Sequence, residues 1–154
     1  MQPTQQQEPA RLSLSRAYPV PPEKVWRAWT EAQALSRWFG PGEGSALATA
    51  EIDLRVGGCW RIAFGTPDGA SHEVSGVYQE VVPQRRLVFT WAWKSTPERV
   101  SRVSIDLKPT AAGTELDFVH DRFFDEQARA NHARGWLPLL DKLDHFLQSA
   151  PQEA

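Results

Sequence analysis

Cysteine is almost absent from this chain. The single thiol, Cys59, cannot close an intrachain disulfide or complete a cysteine-built zinc site, so the disulfide-stapled secreted scaffolds are excluded. An excess of one sign of charge is missing as well: 17 Lys and Arg stand against 19 Asp and Glu. That balance gives no basic field for a phosphate backbone and argues against nucleic acid as a partner. No apolar run approaches the roughly 18 residues of a membrane span. Residues 1–10 are Gln-rich and polar, with neither a basic leader nor an apolar signal core. A membrane is therefore not an expected partner, and a reducing cytoplasm is the expected compartment. Glycine-rich phosphate loops are lacking too, because Gly40-Pro41-Gly42-Glu43-Gly44 has no lysine and no following helix and reads instead as a flexible rim. His120 and His132 have no tight ligand spacing, and no H-x-x-x-H motif or carboxylate pair supplements them, so no metal and no cofactor is expected.

What is present is the composition of one globular domain, 154 residues with 41% hydrophobic and 23% charged. A chain of this length buries roughly 70% of its unfolded surface, enough for a core without staples. Residues 1–10 and 150–154 read as disordered tails around a single domain at 11–149. Leu12 and Leu14 alternate with polar neighbours as in a half-buried strand, which Pro19-Val20-Pro21-Pro22 ends. Val25 and Trp29, four apart behind those prolines, predict a short helix. Thr30-Glu31-Ala32-Gln33 fits a capping box opening a second helix, with Leu35 and Trp38 on one face.

From Ala46 to His120 the period is two. Turn signals at Gly57-Gly58, Pro67-Asp68-Gly69, Pro83 to Arg85, Ser95 to Pro97 and Ala111 to Gly113 divide the segment into the strands of an antiparallel meander. Ala48 to Leu54 and Cys59 to Phe64 are the first two of them. Leu87, Phe89, Trp91 and Trp93 share one face, as do Val103, Ile105 and Leu107, and Leu116, Phe118 and His120. The last segment returns to helical spacing through Ala128, His132, Gly135 or Trp136, Leu139, Leu143 and Phe146 or Leu147, with Asp125 as N-cap and a kink or break at Gly135 to Pro138.

Seven Trp and seven Phe are many for a small domain, and several of these rings converge between strands and final helix, either as packed core or as the wall of a cavity. His120 points inward at a strand end and is a candidate proton carrier or ligand contact, or else a histidine satisfied by the backbone or by Asp121. His132 is equally ambiguous, and His72 and His145 read as solvated. Asp53 and Arg55 read as turn-fixing residues before Gly57-Gly58 or as polar groups at a cavity mouth. Glu51, Arg61 and Glu73 are further candidates for polar groups facing a cavity. Cys59, opposite in parity to Trp60, reads as an inert outward thiol.

The order of elements, with Val25-Trp26-Arg27-Ala28-Trp29-Thr30, Arg37-Trp38-Phe39-Gly40-Pro41, Asp53-Leu54-Arg55-Val56-Gly57-Gly58 and Gly135-Trp136 followed by Leu139-Leu140-Asp141-Lys142-Leu143, resembles the activator of Hsp90 ATPase homologue-like family. This is a branch of the START-like, or SRPBCC, superfamily, and the resemblance covers about residues 11–148. It implies an α+β helix-grip (birch-pollen-allergen-like) fold, in which a curved antiparallel sheet of six or seven strands wraps around a long C-terminal helix and leaves a cavity. It further implies binding of a small hydrophobic or amphipathic ligand, lipid-like or polyketide-like. Trp60, Phe64, Tyr78, Phe89, Trp91, Trp93, His120, Trp136 and Leu140 are then the expected lining. Two other functions are implied by the same resemblance. One is a cyclase or hydrolase with His120 as acid or base and Asp53 or Glu51 supporting it. The other is a stress-response co-chaperone or homodimeric interaction module, although the separate chaperone-binding domain of the eukaryotic co-chaperones is not expected from these 154 residues.

Overall fold

Strict alternation makes β1 (Leu12–Tyr18): Leu12 and Tyr18 are buried, and Ser13, Ser15 and Ala17 face solvent. The structure is a computed structural model that describes residues 11–39, 49–65 and 69–149. Pro22 opens α1 (Pro22–Thr30), where the missing N–H is one that a first helical turn leaves unbonded anyway. α2 (Ala32–Trp38) follows a single extended residue, Glu31. The capping box expected at Thr30 does not form. Glu31 is the N-cap, without a side-chain bond, and the buried Thr30 hydroxyl donates back to the Trp26 carbonyl at 2.8 Å. Trp38 Nε1–H donates to the Ala28 carbonyl at 2.9 Å and ties the two helices together.

The remaining strands are β2 (Thr49–Ile52), β3 (Cys59–Gly65), β4 (Ser71–Val82), β5 (Arg86–Trp93), β6 (Ser101–Thr110) and β7 (Gly113–Asp121). With β1 they form a seven-stranded, curved antiparallel sheet in the order β1-β7-β6-β5-β4-β3-β2. β2 is shorter than the sequence reading. Asp53 and Arg55 fall in the turn after it, where they make an exposed ion pair at 3.0 Å. The rim at Gly40 to Gly44, most of the turn at Pro67 to Gly69 and both expected tails lie outside the described residues.

The pleat assigns the two faces. Trp60, Ile62, Leu87, Phe89, Trp91, Val103, Ile105, Leu116, Phe118 and His120 are buried on the inner face. The outer face carries ion pairs. Arg61 lies opposite Glu51 in register, 2.7 Å from it and 3.3 Å from Glu73. This corrects the expectation that Glu51, Arg61 and Glu73 face a cavity: Trp60 and Ile62 turn inward, so Arg61 between them must turn outward.

Gly76 stands opposite Trp60 and permits a close approach, with Trp60 Nε1–H donating to the Thr90 carbonyl at 3.2 Å. A Cβ at this position would overlap that carbonyl oxygen. Gly76→Ala is expected to destabilise the protein by about 1–3 kcal/mol. The measurement is a urea titration, in which the midpoint falls with the slope unchanged; an unmoved midpoint would mean that the strands yield there without strain.

α3 (Glu126–Ser149) begins at the expected cap, with Asp125 Oδ1 accepting the Ala128 N–H at 2.9 Å. Of the kink or break expected at Gly135 to Pro138, the break does not occur: one helix runs from Glu126 to Ser149 with Pro138 inside it. Arg134 and Pro138 are both exposed, so the carbonyl that proline leaves unbonded is open to water. Trp136, Leu140, Leu143 and Leu147 form the buried stripe of α3 against the inner face.

Candidate functional site

Two imidazoles and three indoles organise the middle of the molecule. His120, fully buried on β7, accepts the Trp136 Nε1–H at Nδ1 at 3.0 Å. Its proton therefore sits on Nε2, which donates to Ser101 Oγ at 2.7 Å, and the Ser101 hydroxyl donates onward to the Trp91 carbonyl at 3.3 Å. His132 has the opposite tautomer. Its Nδ1–H donates to the Ala128 carbonyl at 2.7 Å, and its Nε2 accepts Trp91 Nε1–H at 3.2 Å and Trp93 Nε1–H at 3.0 Å. Burial, with His132 nearby, pushes the His120 imidazole well below its ordinary range. Burial lowers His132 too, against an opposing pull from the Ala128 carbonyl. Burial thus favours the neutral form of both rings, and each neutral ring has its lone pair occupied by indole N–H donors.

Committing these N–H groups inward leaves aromatic carbon on the other side. There a cavity of about 370 Å³ opens, walled by Phe39 at the end of α2, Phe64 on β3, and Trp91 and Trp93 on β5. The α3 side of it is made by Gly135, Trp136, Pro138 and Leu139, with Asn131, His132 and Lys142 as its polar groups. The cavity exists because α3 presents Gly135 and Pro138 where large side chains would fill the space. Beyond the Trp93–His132 bond is a second, more polar cavity of about 310 Å³ that includes Arg99, Ser101, Phe123 and Gln127.

The structure brings Phe64, Trp91, Trp93 and Trp136 of the expected lining together on the larger cavity. Trp60, Tyr78 and Phe89 border a separate small void deeper in the core. His120 is sealed behind Trp136 and Trp91, at ring distances of 6.2 and 5.5 Å, and both its nitrogens are bonded. Leu140 is fully buried, and its carbonyl accepts the Tyr18 hydroxyl at 3.4 Å. Asp53 and Glu51 are exposed, pair with Arg55 and Arg61, and are not brought to His120. Cys59 is exposed, and His72 is exposed with its ring 5.5 Å from Phe64.

Sequence reasoning missed Phe39, Asn131, Gly135, Pro138, Leu139 and Lys142 as wall residues. A signal was available: positions 131, 135, 138, 139 and 142 fall on one helical face beside the buried stripe, and that face holds both a glycine and a proline. Among the described residues no group of three or more His, Cys, Asp or Glu is arranged to hold a metal ion. No helix among them is long and apolar enough to cross a membrane.

Comparison with known proteins places this arrangement. A family model described as Activator of Hsp90 ATPase homolog 1-like protein matches residues 19–148. A structure from Chromobacterium violaceum is 28% identical with a TM-score of 0.82, covering 92% of this chain and 100% of that one. One from Nitrosomonas europaea is 27% identical with a TM-score of 0.75, over 90% of this chain and 94% of its own. The AHSA1 protein of Silicibacter pomeroyi is 27% identical with a TM-score of 0.78, over 90% of this chain and 98% of that one. No curated protein matches the sequence.

Proposed function

We propose that this chain, which belongs to the Activator of Hsp90 ATPase homolog 1-like family, binds a small hydrophobic or amphipathic molecule, lipid-like or aromatic, between its sheet and α3. The observation that carries this is the 370 Å³ cavity, a volume suited to a compact ligand, whose tryptophan walls have spent their N–H groups on histidines and offer apolar carbon to the interior. Burial against such walls contributes roughly 25 cal/mol per Å² of apolar area, enough for micromolar affinity after the costs of association. Asn131 and Lys142 supply the polar contacts that orient an amphipathic guest. The geometry gives no support to acid–base catalysis by His120, whose two nitrogens are occupied inside the core.

The test is a thermal-shift and tryptophan-fluorescence screen against fatty acids, flavonoids and polycyclic aromatics, paired with one substitution. A ligand at a hundredfold excess over Kd adds about 2.7 kcal/mol to stability. Gly135 lines the cavity and a Cβ there would meet nothing within 4 Å, so the side chain of Gly135→Leu starts from open space at the cavity wall. Leucine is also the better helix former by roughly 0.5–1 kcal/mol. Gly135→Leu is expected to melt at or above the wild-type temperature while losing at least tenfold in affinity for every hit. Undiminished affinity in this variant would place the ligand elsewhere.

A further inference from the structure

Next to the main cavity lies a void of about 20 Å³, bordered by Trp29, Trp60, Tyr78, Trp91 and Trp136, and sharing Phe39, Trp91 and Trp136 with the larger space. Four indoles face it, and three have committed their N–H groups: Trp60 to the Thr90 carbonyl, Trp91 to His132 and Trp136 to His120. The fourth has not. Trp29 is 4% exposed, and its Nε1–H is buried with no hydrogen-bond partner. Leaving such a donor unbonded in a core costs about 1–3 kcal/mol, and native proteins rarely tolerate it without a purpose. The void has room for one oxygen atom, since a water needs about 10–15 Å³ measured this way.

The chemistry of the wall narrows what fits. Among the described residues none bordering the void carries a formal charge. Burial drives the Tyr78 hydroxyl far above its usual range, so it stays neutral. A carboxylate or phosphate entering here would lose its hydration with no cation to meet it. A carbonyl or similar neutral acceptor would lose little and gain the waiting N–H.

We infer that the void is the inner end of the ligand site, where Trp29 Nε1–H donates to a neutral acceptor oxygen at the leading edge of a flat apolar ligand whose body fills the 370 Å³ cavity. This rests on the ligand-binding reading above and specifies its ligand class: aromatic ketones, lactones or quinones that enter oxygen-first, in preference to hydrocarbons of the same shape. Phe39, Trp91 and Trp136 border both spaces. Trp91 and Trp136 are held by their bonds to His132 and His120, so Phe39, packed on them at ring distances of 6.1 and 6.0 Å with no hydrogen bond to hold it, is the side chain that turns aside on entry.

Fluorenone and fluorene form a matched probe pair, differing only by a carbonyl in place of a methylene. The wild-type protein is expected to bind fluorenone about tenfold more tightly, one buried hydrogen bond's worth of discrimination. Trp29→Phe is expected to abolish that preference, bringing the affinities for the two probes within about twofold of each other. A preference that survives Trp29→Phe, or equal binding of both probes by the wild type, overturns the inference and leaves the ligand-binding reading intact. Binding of neither these probes nor any other member of the screen overturns both. If Trp29→Phe does not fold, the wild-type protein labelled with nitrogen-15 at its indoles gives the same answer. The Trp29 N–H resonance, recognised through its contacts with Trp38 at 4.9 Å and Phe118 at 6.4 Å, should move downfield with fluorenone and not with fluorene. A Trp29 proton that instead keeps a bound water in the fluorenone complex rejects the assignment.

Discussion

Trp136→Ala is expected to cost the fold about 4 kcal/mol or more, read as a drop in the urea midpoint at neutral pH. Two effects add. Removing a buried tryptophan side chain costs about 3–5 kcal/mol through lost transfer energy and the space left behind. Here that space lies at the meeting point of the core: the Trp136 ring is 4.6 Å from Phe118, 5.1 Å from Trp91 and 6.0 Å from both Trp29 and Phe39. The second effect is polar. His120 Nδ1 loses its donor, and a buried acceptor left alone costs about a further 1–3 kcal/mol. Against a total stability of about 5–15 kcal/mol for an ordinary domain, the variant is close to unfolding at room temperature. Trp136→Phe helps to separate the effects, because it removes the N–H while keeping most of the ring volume; it should fall between wild type and Trp136→Ala. A Trp136→Ala protein within about 1 kcal/mol of wild type would show that the cavity beside the ring collapses freely, and that the bond to His120 contributes nothing.

Period and punctuation made the scaffold legible and mark the α3 side of the cavity, while the rest of the cavity depends on long-range pairing that neither records. Leu116, Phe118 and His120 declare a single face because a strand allows only two, and their burial follows from alternation alone. Trp60 and Trp91 were placed inward by the same rule, as was Cys59 outward. The outer-face pairing of Arg61 with Glu51 also follows from parity, once the register between β2 and β3 is known; without it, three charged residues seemed free to face inward. Asp53 and Arg55 had strand spacing but fall in a turn, since β2 stops at Ile52 and the chain needs residues to reach the Gly57-Gly58 reversal. Hydrogen-bond partners far apart in sequence were invisible. Nothing in the chain's order says that Trp91 and Trp93 on β5 will both donate to His132, some forty positions later, or that Trp136 will occupy His120. Those bonds convert a histidine with the profile of a catalyst into a structural acceptor, and they turn tryptophans into an apolar wall. The cavity itself is made by what is missing, the side chain at Gly135; helical spacing puts that glycine on a face with Asn131, Pro138 and Lys142, but only the strands opposite make the face a cavity wall.

Acidification is the condition under which that histidine architecture should fail first. Both imidazoles are held neutral, so in the native state they take up protons only well below the ordinary histidine value of 6.5 for His120, and below it to a lesser extent for His132. The unfolded chain has no such restraint and binds those protons as the pH passes 6.5. It therefore holds more protons than the native protein across the window beneath that value, and stability declines as the pH falls. Above about pH 7.5 neither state is protonated at these sites and the contribution is flat. For His120 the slope approaches about 1.4 kcal/mol per pH unit; His132 is partly open to solvent and adds less. Carboxylates enter later: Glu126, held below its usual range by hydrogen bonding to Arg129, matters only beneath a pH of about 4.5. Urea midpoints from pH 7.5 to 5.5 should therefore fall steadily in the wild type. His120→Phe should start lower, because Trp136 Nε1–H and Ser101 lose their partner, yet decline less steeply because one of the two silent protons is gone. Tryptophan emission gives a local check, since a proton arriving at His132 Nε2 confronts two indole N–H donors and must displace Trp91 and Trp93 from it. Equal slopes in the two proteins would mean that His120 exchanges protons freely in the native state, and would remove the sealed, structural role assigned to it.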